Sequence, residues 1–261
     1  MSPNLKTLAR WITLFVDPRK VLAWFYLPRF VRHWRKFQSA TSEQLLVRES
    51  YPCLNDWVAS TPFDPHYFYQ GAWLARALAD TQPDLHVDVG SSVLTIGVLS
   101  AHVPTMFVDY RPLNAALPNL SSISGTILSL PFADGSISSL SSMHVIEHIG
   151  LGRYGDSIDP EGALKAALEL VRVLKPGGRL YVTAPIGRAR VCFNAHRVFS
   201  PEGLASLFAG LEVKNFNWVD DQGDFHSGGV LADAVAYEYA CGFYEFEKSV
   251  DSVDHSDDRT L

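Results

Sequence analysis

The stretch from Gly125 to Pro185 constrains the fold more than any other part of the chain, because it reads in order as strand, polar loop, helix, tight turn and strand. ISSLSSM (137–143) and GRLYVTAP (178–185) are the short runs suited to strands. Between them Asp159-Pro160-Glu161 opens a helix: Asp159 can cap free amides, proline loses nothing at the first helical position, and Glu161 faces the positive end of the helix dipole. Leu164, Ala167, Leu168, Val171 and Leu174 then make an apolar stripe at helical spacing. Lys175-Pro176-Gly177-Gly178 is predicted to end that helix, with glycine supplying left-handed geometry and proline forbidding continuation. This order is half of a nucleotide-type α/β domain. Its inner loop, EHIGLGRYGD (147–156), is crowded with groups that move protons, bind anions or bend sharply, and a core has no use for such a run.

The remaining chain extends the pattern. LHVDVG (85–90), TMFVDY (105–110) and GTIL (125–128) read as three earlier strands, and YFYQGAWLARALAD (67–80) as a helix carrying Tyr69, Trp73, Leu74 and Leu78 at helical spacing. Ser200-Pro201-Glu202 starts a further helix, and LEVKNFNWV (211–219) and AVAYEYACGFYEFEK (234–248) look like two closing strands. The expectation is an α/β fold, a doubly wound, mostly parallel seven-stranded Rossmann-like sheet with a helical N-terminal extension. The segments divide as 1–66 (basic, aromatic extension), 67–248 (the sheet domain) and 249–261 (an acidic, serine-rich tail expected to be disordered). At 261 residues, 47% of them hydrophobic, there is material for one such domain and an extension.

Charge is unevenly spread. The net charge of −6 argues against a nucleic-acid partner, because counterion displacement needs a positive field. Residues 1–40 nevertheless hold eight Lys or Arg against Asp17 alone, so this segment is about +7 and the remainder about −13. The basic residues alternate with Trp11, Phe15, Trp24, Phe25, Tyr26, Phe30, Trp34 and Phe37, and Pro18 and Pro28 break the segment into short helical pieces. Two readings stand for it: contact with the inner-membrane surface, or an aromatic face packed on protein. No run approaches the ~20 apolar residues of a membrane span, and no signal peptide is visible. Three widely spaced cysteines, Cys53, Cys192 and Cys241, fit a reducing cytosol better than a disulfide framework or a cysteine-based zinc site. The expected placement is cytoplasmic, peripheral at the inner membrane on the first reading.

In a doubly wound sheet, ligands occupy the crevice beyond the carboxyl ends of the strands. Asp88-Val89-Gly90-Ser91-Ser92 closes the first strand, Asp109 the second, Glu147-His148 follows the fourth, and Gly187 to Arg197 follows the fifth. Asp109 lies 21 positions after Asp88, about where an acid meets a ribose diol. His148 is the candidate base, since imidazole titrates near neutral pH, with Glu147 as the neighbour that orients it or faces away. Arg153 and Arg197 can clamp an anion, while Tyr154, Asp156, Asn194 and His196 lie in the same two loops with groups suited to sugar hydroxyls. The competing reading of the arginines is an Arg153–Asp156 or Arg197–Glu202 pair that only fixes loop shape. No metal site is expected: His144 and His148 are four apart, but Glu147 is one place away from the HExxH pattern and no third ligand is evident.

LPFADGS, HVIEHI, RVLKPGGRLYVTAP and HRVFSPEGLASLF stand in one order and spacing that resembles the class I S-adenosylmethionine-dependent methyltransferases, over about residues 83–245. GLGRYGD (150–156), DPEG (159–162) and FNAHR (193–197) are similar to a small methyltransferase-like family linked to bacterial surface polysaccharide synthesis. The resemblance implies S-adenosylmethionine as cofactor and a sugar or glycan-linked small molecule as substrate, methylated on a hydroxyl with His148 as base. It also implies that Asp88 and Gly90 flank the methionine part of the cofactor, that Asp109 binds the ribose, and that Thr126 stands where relatives carry an acid facing the adenine. The glycine loop departs from the superfamily pattern, with Ser91, Ser92, Val93 and Leu94 after Gly90. That departure motivates the alternative, a methyltransferase-fold binding or scaffolding module that has lost the cofactor. A nicotinamide-dependent dehydrogenase is disfavoured by the missing dinucleotide glycine fingerprint.

Overall fold

The structure is a computed structural model that describes residues 18–250. Residues 1–17, with Trp11 and Phe15, and the part of the expected tail from 251 onward lie outside the described residues. The rest falls into two compact units, 18–63 and 64–250.

In the first unit, α1 (Pro18–Ala23) runs through a 3-10 turn (Trp24–Tyr26) into α2 (Leu27–Ala40). Pro28 sits in the first turn of α2, where a missing amide costs nothing. No residue of α2 is buried. The Arg29 guanidinium lies over the rings of Tyr26 at 4.9 Å and Trp57 at 4.5 Å and donates to the Leu54 carbonyl at 2.9 Å.

The second unit holds α3 (Pro65–Thr81), β1 (His86–Val89), α4 (Val93–Leu99), β2 (Thr105–Asp109), β3 (Leu120–Ser124), β4 (Ile137–Met143), α5 (Gly162–Val173), β5 (Leu174–Ile186), β6 (Arg190–Cys192), β7 (His196–Val198), α6 (Pro201–Ser206), β8 (Leu211–Val219), β9 (Phe225–His226) and β10 (Ala240–Lys248). The sheet order is β3-β2-β1-β4-β5-β10-β8-β9. The first five strands are parallel, whereas β10 runs antiparallel to both β5 and β8. There are eight strands in place of the expected seven because the two-residue β9 pairs along the edge of β8. The β6–β7 hairpin stands apart from the sheet.

Helices cover both faces. Trp73, Leu74 and Leu78 of α3 and Ile96 and Leu99 of α4 pack with Phe107, Met143, Tyr181 and Phe243 on one face. Ala163, Ala166, Ala167, Leu170 and Val173 of α5 pack with Val87, Leu140, Leu180 and Val182 on the other. Alternate residues of each strand therefore feed two cores, as a sheet buried on both faces requires.

Three local expectations need correction. The third strand is LSSIS (120–124) and not GTIL: Gly125 already bonds back to Asp109, and Thr126 bridges to Ser129 in a turn. β3 pairs only with β2, so its half-buried edge position tolerates serines that hide it from a hydrophobicity reading. The buried stripe of α5 is Ala163, Ala166, Ala167, Leu170 and Val173, leaving Leu164 and Leu168 exposed; close packing against the sheet selects alanine over the bulkier leucines. The Lys175–Gly178 turn does not cap α5, which ends at Val173. It loops out within β5, between Leu174 opposite Ile137 and Arg179 opposite Ser139, with Gly177 at φ +71°. Of the two expected helix starts, Ser200 accepts the Gly203 amide as its cap, whereas α5 begins two residues late, at Gly162 after Glu161, with no side-chain cap, because Asp159 turns to the Glu161 amide and the Lys165 ammonium. α3 starts earlier than expected, at Pro65, with Asp64 accepting from the amides of His66 and Tyr67.

Candidate active site

A cavity of about 760 Å³ opens beyond the carboxyl ends of β1, β2 and β4. One wall is Gly90 and Ser91, Asp109 to Asn114 and Thr126 to Leu128; the other is His144, Val145, His148, Ile149 and Tyr154 to Ser157. Gly90 sits at φ +73°, and a Cβ there would press Val145 at 3.3 Å, so glycine keeps the floor open. Asp109 accepts the Arg111 amide on Oδ1 at 2.7 Å, while Oδ2 faces Gly90, 3.8 Å from where that Cβ would lie. Thr126 is exposed on the cavity wall and its Oγ1 accepts the Leu128 amide at 3.3 Å.

Asp88 is not a wall residue. It is fully buried beneath the loop, where its carboxylate accepts the Ser91 amide at 3.1 Å, the Ser91 hydroxyl at 2.6 Å and the Ser141 hydroxyl. The Ser91 hydroxyl also accepts the Met143 amide at 2.9 Å. Ser141 in turn meets His86 Nε2, and Ser139 meets His86 Nδ1, both at 2.8 Å. One proton assignment satisfies the chain: Ser139 donates to Nδ1, Nε2–H donates to Ser141, and Ser141 donates to Asp88. Burial lowers the His86 pKa to about 3, which keeps it neutral, and burial raises Asp88 to about 6 against the pull of the two serines. Asp88 therefore acts as a latch that turns the Ser91 side chain down and away from the cavity. A second serine, Ser92, does not line the cavity, and Leu94 points to solvent.

On the opposite wall, His148 Nδ1 donates to the Ala195 carbonyl at 2.7 Å, leaving Nε2 as the basic nitrogen. Burial lowers the His148 pKa below its ordinary value, more than the Glu147 charge restores. Arg153 donates to the same Ala195 carbonyl at 3.0 Å, so the two loops singled out in the sequence do face one another. Tyr154 lies in the cavity wall with the guanidinium groups of Arg153 and Arg111 over its ring, at 5.0 and 5.5 Å. His196 packs against Tyr239 at 5.3 Å, and burial lowers its pKa.

Several expected site residues have other work. Asp156 accepts the amides of Gly150 at 2.7 Å, Tyr154 at 3.2 Å and Gly152 at 3.3 Å; these bonds outweigh burial and hold its carboxyl below the ordinary range. Its geometry builds the loop it belongs to. Arg197 is buried and donates to the carbonyls of Ile149, Pro160 and Asp159 at 2.5, 3.3 and 3.5 Å, so it braces the start of α5 and is no substrate clamp. Neither Arg153–Asp156 nor Arg197–Glu202 is among the ion pairs of the described residues. Asn194 is exposed at the tip of the β6–β7 hairpin and does not line the cavity. Glu147 is buried behind the wall, 2.8 Å from His144 Nδ1 and 3.7 Å from His148 Nε2, so it orients His144 first.

His144 leads to a group that sequence reasoning missed. Its ring stacks on Tyr67 at 5.1 Å and lies near-parallel to His66 at 5.8 Å, and its Nε2 is 3.3 Å from Cys241 Sγ. Burial opposes charge on His144, but the Cys241 sulfur and the Glu147 carboxylate together hold its pKa well above the ordinary value. His144 and Cys241 are 97 positions apart, so no spacing motif announces the group; only the pairing of β10 with β5 brings Cys241 to this end of the sheet.

A family model described as "Caenorhabditis protein of unknown function, DUF268" matches residues 114–225. No curated protein matches the chain. Among solved structures, the chain is similar to a candidate sarcosine dimethylglycine methyltransferase from Galdieria sulphuraria, with 18% identity, 70% of this chain and 85% of that one covered, and a TM-score of 0.51. It is also similar to the N-methyltransferase NodS from Bradyrhizobium japonicum in complex with S-adenosyl-L-homocysteine (14% identity, 70% and 87% covered, TM-score 0.49) and to YcgJ from Bacillus subtilis (15% identity, 70% and 99% covered, TM-score 0.49). The second unit has the α/β fold of the class I methyltransferases.

Proposed function

We propose that the protein transfers a methyl group from S-adenosylmethionine to a hydroxyl of a sugar or sugar-linked intermediate. The observation that carries this reading is the open cavity between Gly90 and Asp109, whose volume of about 760 Å³ lies in the usual range for small-molecule sites. The serine-containing loop does not fill it, because Asp88 holds Ser91 downward. That geometry favours a cofactor-binding enzyme over a binding module that has lost the cofactor. On this reading Asp109 Oδ2 accepts the ribose hydroxyls, Gly90 and Ser91 pass beneath the methionine part and Thr126 faces the adenine, in keeping with their positions on the cavity wall. When bound, S-adenosylmethionine supplies an electrophilic methyl group. The neutral Nε2 of His148 receives the proton of the acceptor hydroxyl, and the Ala195 carbonyl fixes the tautomer that leaves this nitrogen free. The sugar class rests on the GLGRYGD and FNAHR strings.

Calorimetry with S-adenosylhomocysteine tests the reading. Wild-type protein should bind, and Asp109→Ala should weaken binding about a hundredfold or more, since two charge-assisted hydrogen bonds are lost. Folded protein that binds nothing at millimolar ligand overturns it.

For the N-terminal unit we propose contact with an anionic membrane surface. The support is the pairing of basic residues with exposed Trp24, Phe25 and Phe37. No helix of the described residues is long and apolar enough to cross a membrane. Protein lacking residues 1–40 should fail to float with phosphatidylserine vesicles that carry the full chain, and equal flotation of both refutes the assignment.

A further inference from the structure

The mechanism leaves His66, His144 and Cys241 unused, although the three side chains converge. One ligand atom from each lies within 4.8 Å of the others, and His144 Nε2 is 3.3 Å from Cys241 Sγ. We propose that these residues form a zinc-class metal site, with His66, His144 and Cys241 as ligands and Glu147 as the carboxylate that orients His144.

Four observations support it. Around a tetrahedral zinc ion, neighbouring N and S ligands sit about 3.6 Å apart and two N ligands about 3.3 Å apart. The His144–Cys241 edge already has nearly that length, and the His66 ring must move inward by about an ångström to complete the set. Two imidazoles and a thiolate are a borderline-soft donor set that suits zinc and rejects magnesium or calcium, which take oxygen. His144 donates Nδ1–H to Glu147 at 2.8 Å and turns Nε2 toward the sulfur, which is the carboxylate–histidine–metal relay that fixes a ligand's tautomer. Charge also closes on loading: with His144 neutral, a divalent ion, one thiolate and the buried Glu147 carboxylate sum to zero. The second Glu147 oxygen, Oε2, is buried with no protein partner among the described residues.

Elements from three distant parts of the sequence meet here. His66 stands in the first turn of α3, His144 follows β4 at φ +55°, and Cys241 lies in β10. Coordination needs a thiolate and an unprotonated imidazole nitrogen, so metal uptake must release the Cys241 Sγ proton and the proton on His144 Nε2 to solvent as the two bonds to the metal form. Three protein ligands leave the fourth tetrahedral position to water or to a donor atom of a substrate. The proposal is independent of the methyl-transfer reading, because it predicts a ligand set and no rate.

Full-length protein, stripped with chelator and titrated with cobalt(II) alone, tests it. One cobalt per chain should bind, with a sulfur-to-cobalt charge-transfer band in the near ultraviolet and the intense visible bands of four-coordinate cobalt; zinc should displace it. Cys241→Ser should abolish the charge-transfer band, whereas Cys53→Ser and Cys192→Ser keep it. His66→Gln, a half-buried change at a helix start that keeps the fold by circular dichroism, should weaken binding about tenfold or more. The proposal is overturned by a wild-type protein with no such band, by a band that survives Cys241→Ser, or by unchanged affinity in His66→Gln. Should Cys241→Ser fail to fold, the His66→Gln affinity decides.

Discussion

Asp88→Asn is expected to make the protein more stable at neutral pH relative to acid pH, because Asp88 is ionised in a place that disfavours charge. Burial is the dominant cause of its raised pKa, about 6 against an ordinary 3.8, and the hydrogen bonds from Ser141 and Ser91 offset only part of it. In the interval between those two values the folded chain still holds a proton that the unfolded chain has released. The stability carried by that proton is fully present below 3.8 and is lost as pH rises through 6. The whole interval corresponds to about 3 kcal/mol, of which about 2 kcal/mol develops between about pH 4 and pH 7. Asparagine has no such proton to lose. Its Oδ1 accepts the Ser91 amide, and Nδ2, in the place of Oδ2, donates to the Ser91 and Ser141 hydroxyls once these turn. His86 and His66, lowered by burial to about 3 and about 4, slope the other way and add stability as pH rises. Both are common to the two proteins and cancel in the difference. Urea unfolding followed by tryptophan fluorescence at several pH values between about 4 and 7 gives that difference directly. The stability of Asp88→Asn minus that of wild type should climb by about 2 kcal/mol across the range. A flat or falling difference refutes the placement of an ionised Asp88 beneath the loop. The variant should also bind S-adenosylhomocysteine within a few-fold of wild type, since Asp88 does not line the cavity.

Two further outcomes follow from the same geometry. His148→Gln should lower methyl transfer by about 10²- to 10⁴-fold while leaving the S-adenosylhomocysteine dissociation constant unchanged in calorimetry, and a matching loss of binding would remove His148 from the role of base. Gly150 sits at φ +79° with its Cβ position 2.0 Å from the Asp159 carbonyl oxygen, so Gly150→Ala should destabilise by about 4 kcal/mol or more in chemical unfolding; a loss below about 1 kcal/mol refutes the close contact.

The alternation of strands with helical periodicity gave away the sheet, and the Ser200 cap gives the start of α6, because these signals are local. β3 escaped notice because an edge strand needs few apolar residues, and LSSIS carries three serines. At the site, Gly90, Asp109, His148 and Tyr154 were legible from the rule that ligands gather at strand ends and in the loops that follow them, Thr126 only from the family resemblance, and all five line the cavity. The misreadings share one cause. Asp88 and Arg197 look like binding residues by type, but each is consumed by backbone or hydroxyl groups close to it in space, and Asp156, though it lines the cavity, spends its carboxylate on the amides of its own loop. Sequence cannot say whether a charged side chain is already satisfied. His66 and Cys241 were invisible for the opposite reason, since their meeting depends on long-range pairing and on no motif.

Glu147 is where the cavity wall and the His66–His144–Cys241 cluster meet, and Glu147→Gln separates its two effects. The carboxylate is closer to His144, at 2.8 Å, than to His148 Nε2, at 3.7 Å, so its hydrogen bond goes to His144 and only its charge reaches His148. For His148, burial lowers the pKa and the Glu147 charge partly restores it. Removing the charge therefore moves the acid limb of the methyl-transfer profile to still lower pH, with His148 remaining neutral and active at pH 7. For His144 the consequence is larger. A glutamine amide accepts from Nδ1–H without balancing the ion's charge, so cobalt affinity should fall about tenfold or more. A variant with lost cobalt affinity and near-normal methyl transfer at neutral pH fits this division. An acid limb that moves upward contradicts it, because a neutral neighbour cannot stabilise the imidazolium better than a carboxylate does.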